Sequence, residues 1–171
     1  MKIELKNFKY AAFASQETNC FSADVWIDGK KAGWAENQGH GGPTNIGPNT
    51  LVNALDKHAE SLPYVVTGMK DPHDPTKPFT YPQTSETIID EVVSAFLMER
   101  DLTKALKKRV LFTLKDKPGI YETKTMTAVH MTNMLKAIAE GKLKLSREPV
   151  DKILNNIPLA EALELYKANA N

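Results

Sequence analysis

Asp28-Gly29 stands between two runs of alternating apolar and polar residues, and no other feature restricts so firmly what this chain can become. Phe21, Ala23, Val25 and Ile27 alternate with Ser22, Asp24 and Trp26 before it, and the run from Lys30 to Glu36 follows it. A period of two is that of a strand with one face buried. Glycine takes a positive φ at no steric cost and aspartate tolerates one, so the dipeptide forms a two-residue turn whose twist matches that of its strands. With these two residues as the loop, Ile27 faces Lys30, Val25 faces Ala32, Ala23 faces Trp34 and Phe21 faces Glu36. This register sets large Trp34 against small Ala23 on the core side and Trp26 beside Lys31 on the other, within reach of a cation–π contact. Trp26 must then be covered or act as a contact surface.

Strand periodicity also precedes this hairpin. Ile3 and Leu5 are followed by a parity switch to Phe8 and Tyr10, which predicts one long strand with a bulge near Asn7. The segment from Asn37 to Thr50 holds four of the nine glycines and reads as a loop, with Asn49 or Thr50 as the cap of a helix carrying Leu51, Leu55, His58 or Ala59, and Leu62 on one face. Residues 63–84 contain five of the ten prolines, which predicts an exposed loop without regular structure. After Ser85, the pairs Ile88-Ile89, Val92-Val93 and Phe96-Leu97 recur every four residues and specify a long amphipathic helix. Val110, Phe112 and Leu114 begin a second hairpin that turns at Lys117-Pro118-Gly119. Three helices are then expected. The first carries Met131, Met134, Leu135 and Ile138 and ends at Gly141, the second is short and capped by Ser146, and the last is opened by Pro158.

Hairpins grouped together rather than alternating singly with helices predict an α+β fold, an antiparallel sheet built from two hairpin units with helices packed on it. At 171 residues, 42% apolar and 25% charged, the length is that of one domain, residues 1–171. No run approaches the roughly 18 to 20 apolar residues that a membrane span requires, and Met1-Lys2-Ile3-Glu4-Leu5 lacks a signal peptide's apolar stretch, so a cytoplasmic location is expected. One cysteine, Cys20, leaves no partner for an internal disulfide. Lys and Arg total 22 against 21 for Asp and Glu, so the field of the whole chain argues against nucleic acid as a partner. The lysines of the second hairpin, from Lys115 to Lys124, keep a nucleic-acid-binding accessory role as a third reading.

The hairpin register brings the turn from Ser15 to Asn19, Cys20 and the glycine loop to one end of the sheet. Three readings compete there. Gly39, His40, Gly41, Gly42, Thr44, Asn45 and Asn49 can line a small anionic ligand beside a helix N-terminus, although neither a P-loop nor a dinucleotide motif is present. Cys20 as nucleophile and His40 as base, with Glu36 beside them, would make a small hydrolase or transferase. The glycines can also simply shape a turn. His40, His58, His73 and His130 lack metal-ligand spacing, so neither a metal nor another cofactor is expected.

The segments Lys6-Asn7-Phe8, Ala14 to Phe21, Asp28-Gly29-Lys30 and Asn37 to Gly42, with Lys108 to Lys115 later, resemble small accessory proteins of bacteriophages, prophages and plasmids. The resemblance implies a role in mobile-element biology, where such domains bind a host protein or a signalling molecule and can oppose host defence. The sequence thus points to a non-enzymatic binding or inhibitory protein whose partner is a host protein or a small anionic ligand. Its contact surface would include Trp26, the glycine loop, and His73 and Asp74 in the proline-rich segment.

Overall fold

Asp28 and Gly29 take φ values of 48° and 80°, the paired positive dihedrals of a tight hairpin turn. They join β2 (Phe21–Ile27) to β3 (Lys30–Asn37) in the computed structural model, which describes residues 1–169. The fold is mixed α+β with antiparallel sheets and helices. The chain divides into two compact units, the first spanning Met1–Ala95 and the second starting at Phe96.

In the first unit, β1 (Ile3–Tyr10), β2, β3 and β4 (Asn45–Gly47) form a four-stranded sheet in that order. β1 carries the expected irregularity: Asn7 has φ 50° and the pairing with β2 shifts between Lys6 and Lys9. The register of the central hairpin departs from expectation. Ile27 pairs with Lys30 and Trp26 with Lys31, but a bulge at Ala32 then moves Val25 opposite Gly33, Asp24 opposite Trp34 and Ala23 opposite Ala35. Because side chains alternate between faces, one extra residue sends Trp34 to the outer face, where it is 45% exposed. The core at this place has no room for it. A Cβ on Gly33 would overlap the Gly47 carbonyl and lie 2.8 Å from Leu51 Cδ2, so backbone and helix press directly onto the glycine.

That helix is α1 (Asn49–Ala59), which buries Leu51, Leu55 and Ala59 as its periodicity requires. Its N-cap is Pro48, without a side-chain cap, rather than Asn49 or Thr50. The glycine segment is not wholly loop either, since β4 pairs Ile46 with Ala35 and Gly47 with Trp34. Residues 63–84 also differ from the loop their prolines suggest. Val65–Lys70 (β5) and Pro78–Tyr81 (β6) pair as a two-stranded sheet. Proline at a strand's start and flanks removes no inner ladder bond, and Val65, Val66 and Thr67 supply strand propensity between them.

Helix α2 (Ser85–Leu106) begins in the first unit, where it buries Ile88, Ile89 and Val93, and farther along it buries Leu97 and Leu102. Its first N–H groups are capped twice: Ser85 N–H donates to Asp56 Oδ1 at 2.7 Å and Thr87 N–H to Thr84 Oγ1 at 3.2 Å.

In the second unit, β7 (Leu111–Leu114) lies between β8 (Lys117–Glu122) and β9 (Val150–Ile153). All four β7 residues are buried, around a cluster that joins Leu102, Leu111, Leu154 and Ala162. The hairpin turns at Lys115-Asp116, with Asp116 at φ 63°, one step before the expected Lys117-Pro118-Gly119 turn. α3 (Ala128–Ala139) is followed by Gly141 at φ 71°, as read from the sequence, and is capped by Thr127, which the sequence reading did not single out. The helix expected after Ser146 is instead β9, which pairs Val150 with Leu114 and Ile153 with Phe112. β-branched residues on an open edge of β7 gain a ladder that a one-turn helix could not supply. α4 (Leu159–Asn169) closes the described chain after Pro158.

Candidate functional site

The turn after β1 and the loop after β3 are tied into one knot. The Gly39 carbonyl accepts from the N–H groups of Gln16, Glu17 and Thr18 at 2.9, 3.0 and 3.5 Å. The Thr18 hydroxyl donates to Asn37 Oδ1 at 2.8 Å, and the Gly39 N–H donates to the same oxygen at 2.8 Å. The Asn37 amide in turn donates to the Gly42 carbonyl at 3.0 Å and to Thr44 Oγ1 at 3.2 Å. Asn37 and Thr44 are buried, and a buried amide so fully bonded holds the loop in one conformation. The juxtaposition read from the hairpin is therefore present, with Thr18 at its centre. Alternation exposes no signal for Thr18, because the residue lies outside both strands.

Three of the N–H groups that an anion could use are already engaged. Gly39 N–H is held by Asn37, Gly41 N–H donates to Thr18 Oγ1 at 3.3 Å, and Thr44 N–H donates to the Glu86 carboxylate at 2.8 Å. The Glu17 carboxylate fills the space that a Cβ at Gly41 would take. Thr44 also donates its hydroxyl to Asp90 Oδ1 at 2.7 Å. Burial pushes the Asp90 carboxyl above its ordinary range and the neighbouring Glu86 charge adds to this, while the Thr44 hydrogen bond opposes it. Two carboxylates of α2 thus stand where a bound anion would approach Thr44. Asn45 and Asn49 are exposed, and Asn49 is the first residue of α1.

Cys20 and Glu36 line one groove of about 350 Å3 together with Tyr10, Ser22 and Gln38. His40 does not line it. The imidazole is exposed and its Nδ1 lies 3.4 Å from Gln16 Oε1. Cys20 is half-buried, with its N–H on Ser15 Oγ at 2.9 Å and its carbonyl accepting from Ala11 N–H at 3.0 Å. The groove therefore brings the thiol to the same wall as a carboxylate, without the imidazole that the hydrolase reading requires. Among the described residues no group of three His, Cys, Asp or Glu side chains is placed to hold a metal ion, and no helix is long and apolar enough to cross a membrane.

The remaining expected contact residues have different settings. Trp26 is half-buried: Lys6, not Lys31, lies over its ring with Nζ 3.5 Å from the centre, and its Nε1 is buried without a partner. Lys31 instead pairs with Asp24 at 2.8 Å, and with the Asn7 amide it holds that carboxyl below the usual range. His73 and Asp74 sit in the connection between β5 and β6, where Asp71 Oδ1 accepts from both their N–H groups at 2.8 and 3.3 Å. The tip is thus an ordered turn closed on itself. Among the lysines of the second hairpin, Lys117 is paired with Glu148 at 2.7 Å, while Lys115 and Lys124 form no ion pair among the described residues.

The β5–β6 ribbon carries the feature that a loop reading hides. Val66 and Met69 of β5 are 65% and 64% exposed and Tyr64, just before the strand, is 62% exposed, while Val65, Thr67 and Phe79 are half-buried. Each strand of a two-stranded sheet keeps one edge without a strand partner. Prolines guard β6 at Pro78 and Pro82, but none lies within β5. The signal was present in the sequence as the run Tyr64-Val65-Val66-Thr67, masked by the prolines around it. Compared with protein-family models, curated proteins and solved structures, the chain matches none of them.

Proposed function

We propose that this chain is a non-enzymatic binding protein that captures an extended segment of a partner protein along β5. The observation that carries the reading is the exposure of Val66 and Met69 on β5 and of Tyr64 just before it, beside an edge that pairs with no strand among the described residues and holds no proline. A free edge offers main-chain donors and acceptors to an incoming strand, and the apolar residues along it supply the burial that makes such pairing favourable. The ordered turn from Asp71 to Lys77 holds the two strands together, so little of the binding surface has to be organised on contact. The resemblance to mobile-element accessory proteins suggests a bacterial host protein as the partner.

The test compares the wild-type chain with a Tyr64→Ser, Val66→Ser, Met69→Ser variant as bait in bacterial lysate, with circular dichroism showing that both are folded. A stoichiometric partner retained by the wild type and lost from the variant is the expected result. Equal retention by both places the contact elsewhere and overturns the reading.

A further inference from the structure

We propose that the second unit carries a binding site for an amphipathic carboxylate, an aliphatic chain with an anionic head, in the groove between the end of α3 and β9. The groove has a volume of about 340 Å3, at the small end of the range for ligand sites. Ile138, Leu143, Val150 and Ile153 line it, and Lys144 and Arg147 lie among its lining residues. Leu143 is 39% exposed, so an apolar wall stands open to solvent beside two cations.

The charges around this groove do not cancel. Glu140 is matched by Lys142 at 2.7 Å and by Lys136 at 4.0 Å, and Glu148 by Lys117 at 2.7 Å. Lys144 and Arg147 form no ion pair among the described residues. The imbalance extends to the whole unit: from Phe96 onward 14 Lys and Arg stand against 9 Asp and Glu, a surplus of five positive charges, whereas residues 1–95 hold 8 against 12. An apolar wall with two unmatched cations among the lining residues complements a ligand that is apolar along its length and negative at one end. A neutral chain would leave the cations unused, and a cationic one would be repelled.

The walls are fixed without a ligand. Lys142 and Leu143 N–H groups both donate to the Ala137 carbonyl, at 2.8 and 3.2 Å, which sets the turn at Gly141. Farther along, Glu148 N–H donates to Ser146 Oγ at 3.1 Å, and the Pro149 carbonyl accepts from Lys115 N–H at 3.0 Å. A groove so held needs little reordering on binding.

The test titrates decanoate, below its micelle threshold, into protein carrying 13C-labelled Ile, Leu and Val methyl groups, with decyltrimethylammonium as the cationic counterpart. Decanoate should shift the methyl resonances of Ile138, Leu143 and Ile153 saturably, and decyltrimethylammonium should not. The Lys144→Glu, Arg147→Glu variant, whose changes lie on the surface, should bind decanoate about tenfold more weakly or worse with its other methyl resonances in place. Equal shifts by the two amphiphiles, unchanged affinity in the variant, or no saturable shift overturns the proposal.

Discussion

The Thr18 hydroxyl donates to Asn37 Oδ1 at 2.8 Å across 19 residues of sequence, and this bond joins the turn after β1 to the end of β3. The same Thr18 oxygen accepts from Gly41 N–H, so one side chain satisfies both a buried amide and a loop N–H. Thr18→Val preserves shape and removes both bonds. It should lower the unfolding free energy by about 1–3 kcal/mol in urea titration, the cost of leaving part-buried polar groups unpaired.

Gly39 has φ 86°, and a Cβ there would overlap the Ala14 carbonyl and come within 2.9 Å of Cys20 Cβ. Gly39→Ala combines an unfavourable dihedral with a backbone clash, and the three N–H groups that converge on the Gly39 carbonyl must shift. A loss of about 2 kcal/mol or more is expected in thermal or chemical unfolding. Gly42→Ala, where a Cβ meets open space, should stay within about 0.5 kcal/mol of wild type.

Asp90 makes the pH dependence specific in sign. Its carboxyl is raised in the folded state, so the folded chain binds that proton more readily than the unfolded chain. The ionised form therefore costs stability above the folded-state value, and the cost disappears as pH falls below the ordinary carboxylate range. Asp90→Asn keeps an acceptor for the Thr44 hydroxyl and removes the repulsion from Glu86. The variant should gain less than about 1 kcal/mol at neutral pH, with the gain shrinking as pH drops through that range. A difference that grows on acidification contradicts this.

Asn155 is the corresponding tie in the second unit. Its Oδ1 accepts from Leu111 N–H at 2.9 Å, and its Nδ2 donates to the carbonyls of Leu106 at 3.0 Å and Arg109 at 2.9 Å. One amide thereby satisfies the end of α2 and the start of β7. Asn155→Ala should cost about 2–4 kcal/mol in urea titration, more than truncating exposed Asn156.

Trp26 Nε1 is buried without a partner although its ring lies under Lys6. Trp26→Phe removes the orphaned donor and retains an aromatic face. The melting temperature should be unchanged or raised, whereas Trp26→Ala should lower it through the packing lost.

Where each element's driving force was local, the residues disclosed it. Asp28-Gly29 dictates its turn through dihedral preference, the four-residue recurrence from Ile88 dictates α2, and Gly141 ends α3 because that position needs a positive φ. The knot at the sheet end was legible as a juxtaposition, since hairpin pairing carries Gln16 and His40 to one place. Its hub, Thr18 with Asn37, was not legible, because a hydroxyl in a turn and an amide at a strand's end give no sign in the alternation of what they will meet. Trp34 misled for a similar reason. Alternation assigns it to the core, yet the space there is filled by Gly47, Pro48 and Leu51, whose arrival over Gly33 depends on residues 14 and more positions away.

β9 and the β5–β6 ribbon show the boundary between the two kinds of information. Val150 and Ile153 fit a helix turn or a strand equally by spacing, and only the unfilled edge of β7 selects the strand. The prolines of residues 63–84 exclude an inner strand but permit a two-stranded ribbon that sacrifices no inner ladder bond. Local stereochemistry and periodicity, which act over a few residues, determined the Asp28-Gly29 turn, helices α1 to α4 and the α+β class from the sequence, but neither the exact turn of the second hairpin nor β9. Tertiary structure decided the bulge, the buried hydrogen-bond hubs, the exposed stripe on β5 and the unmatched cations beside α3, because each depends on which groups from distant segments compete for the same space and the same hydrogen bonds.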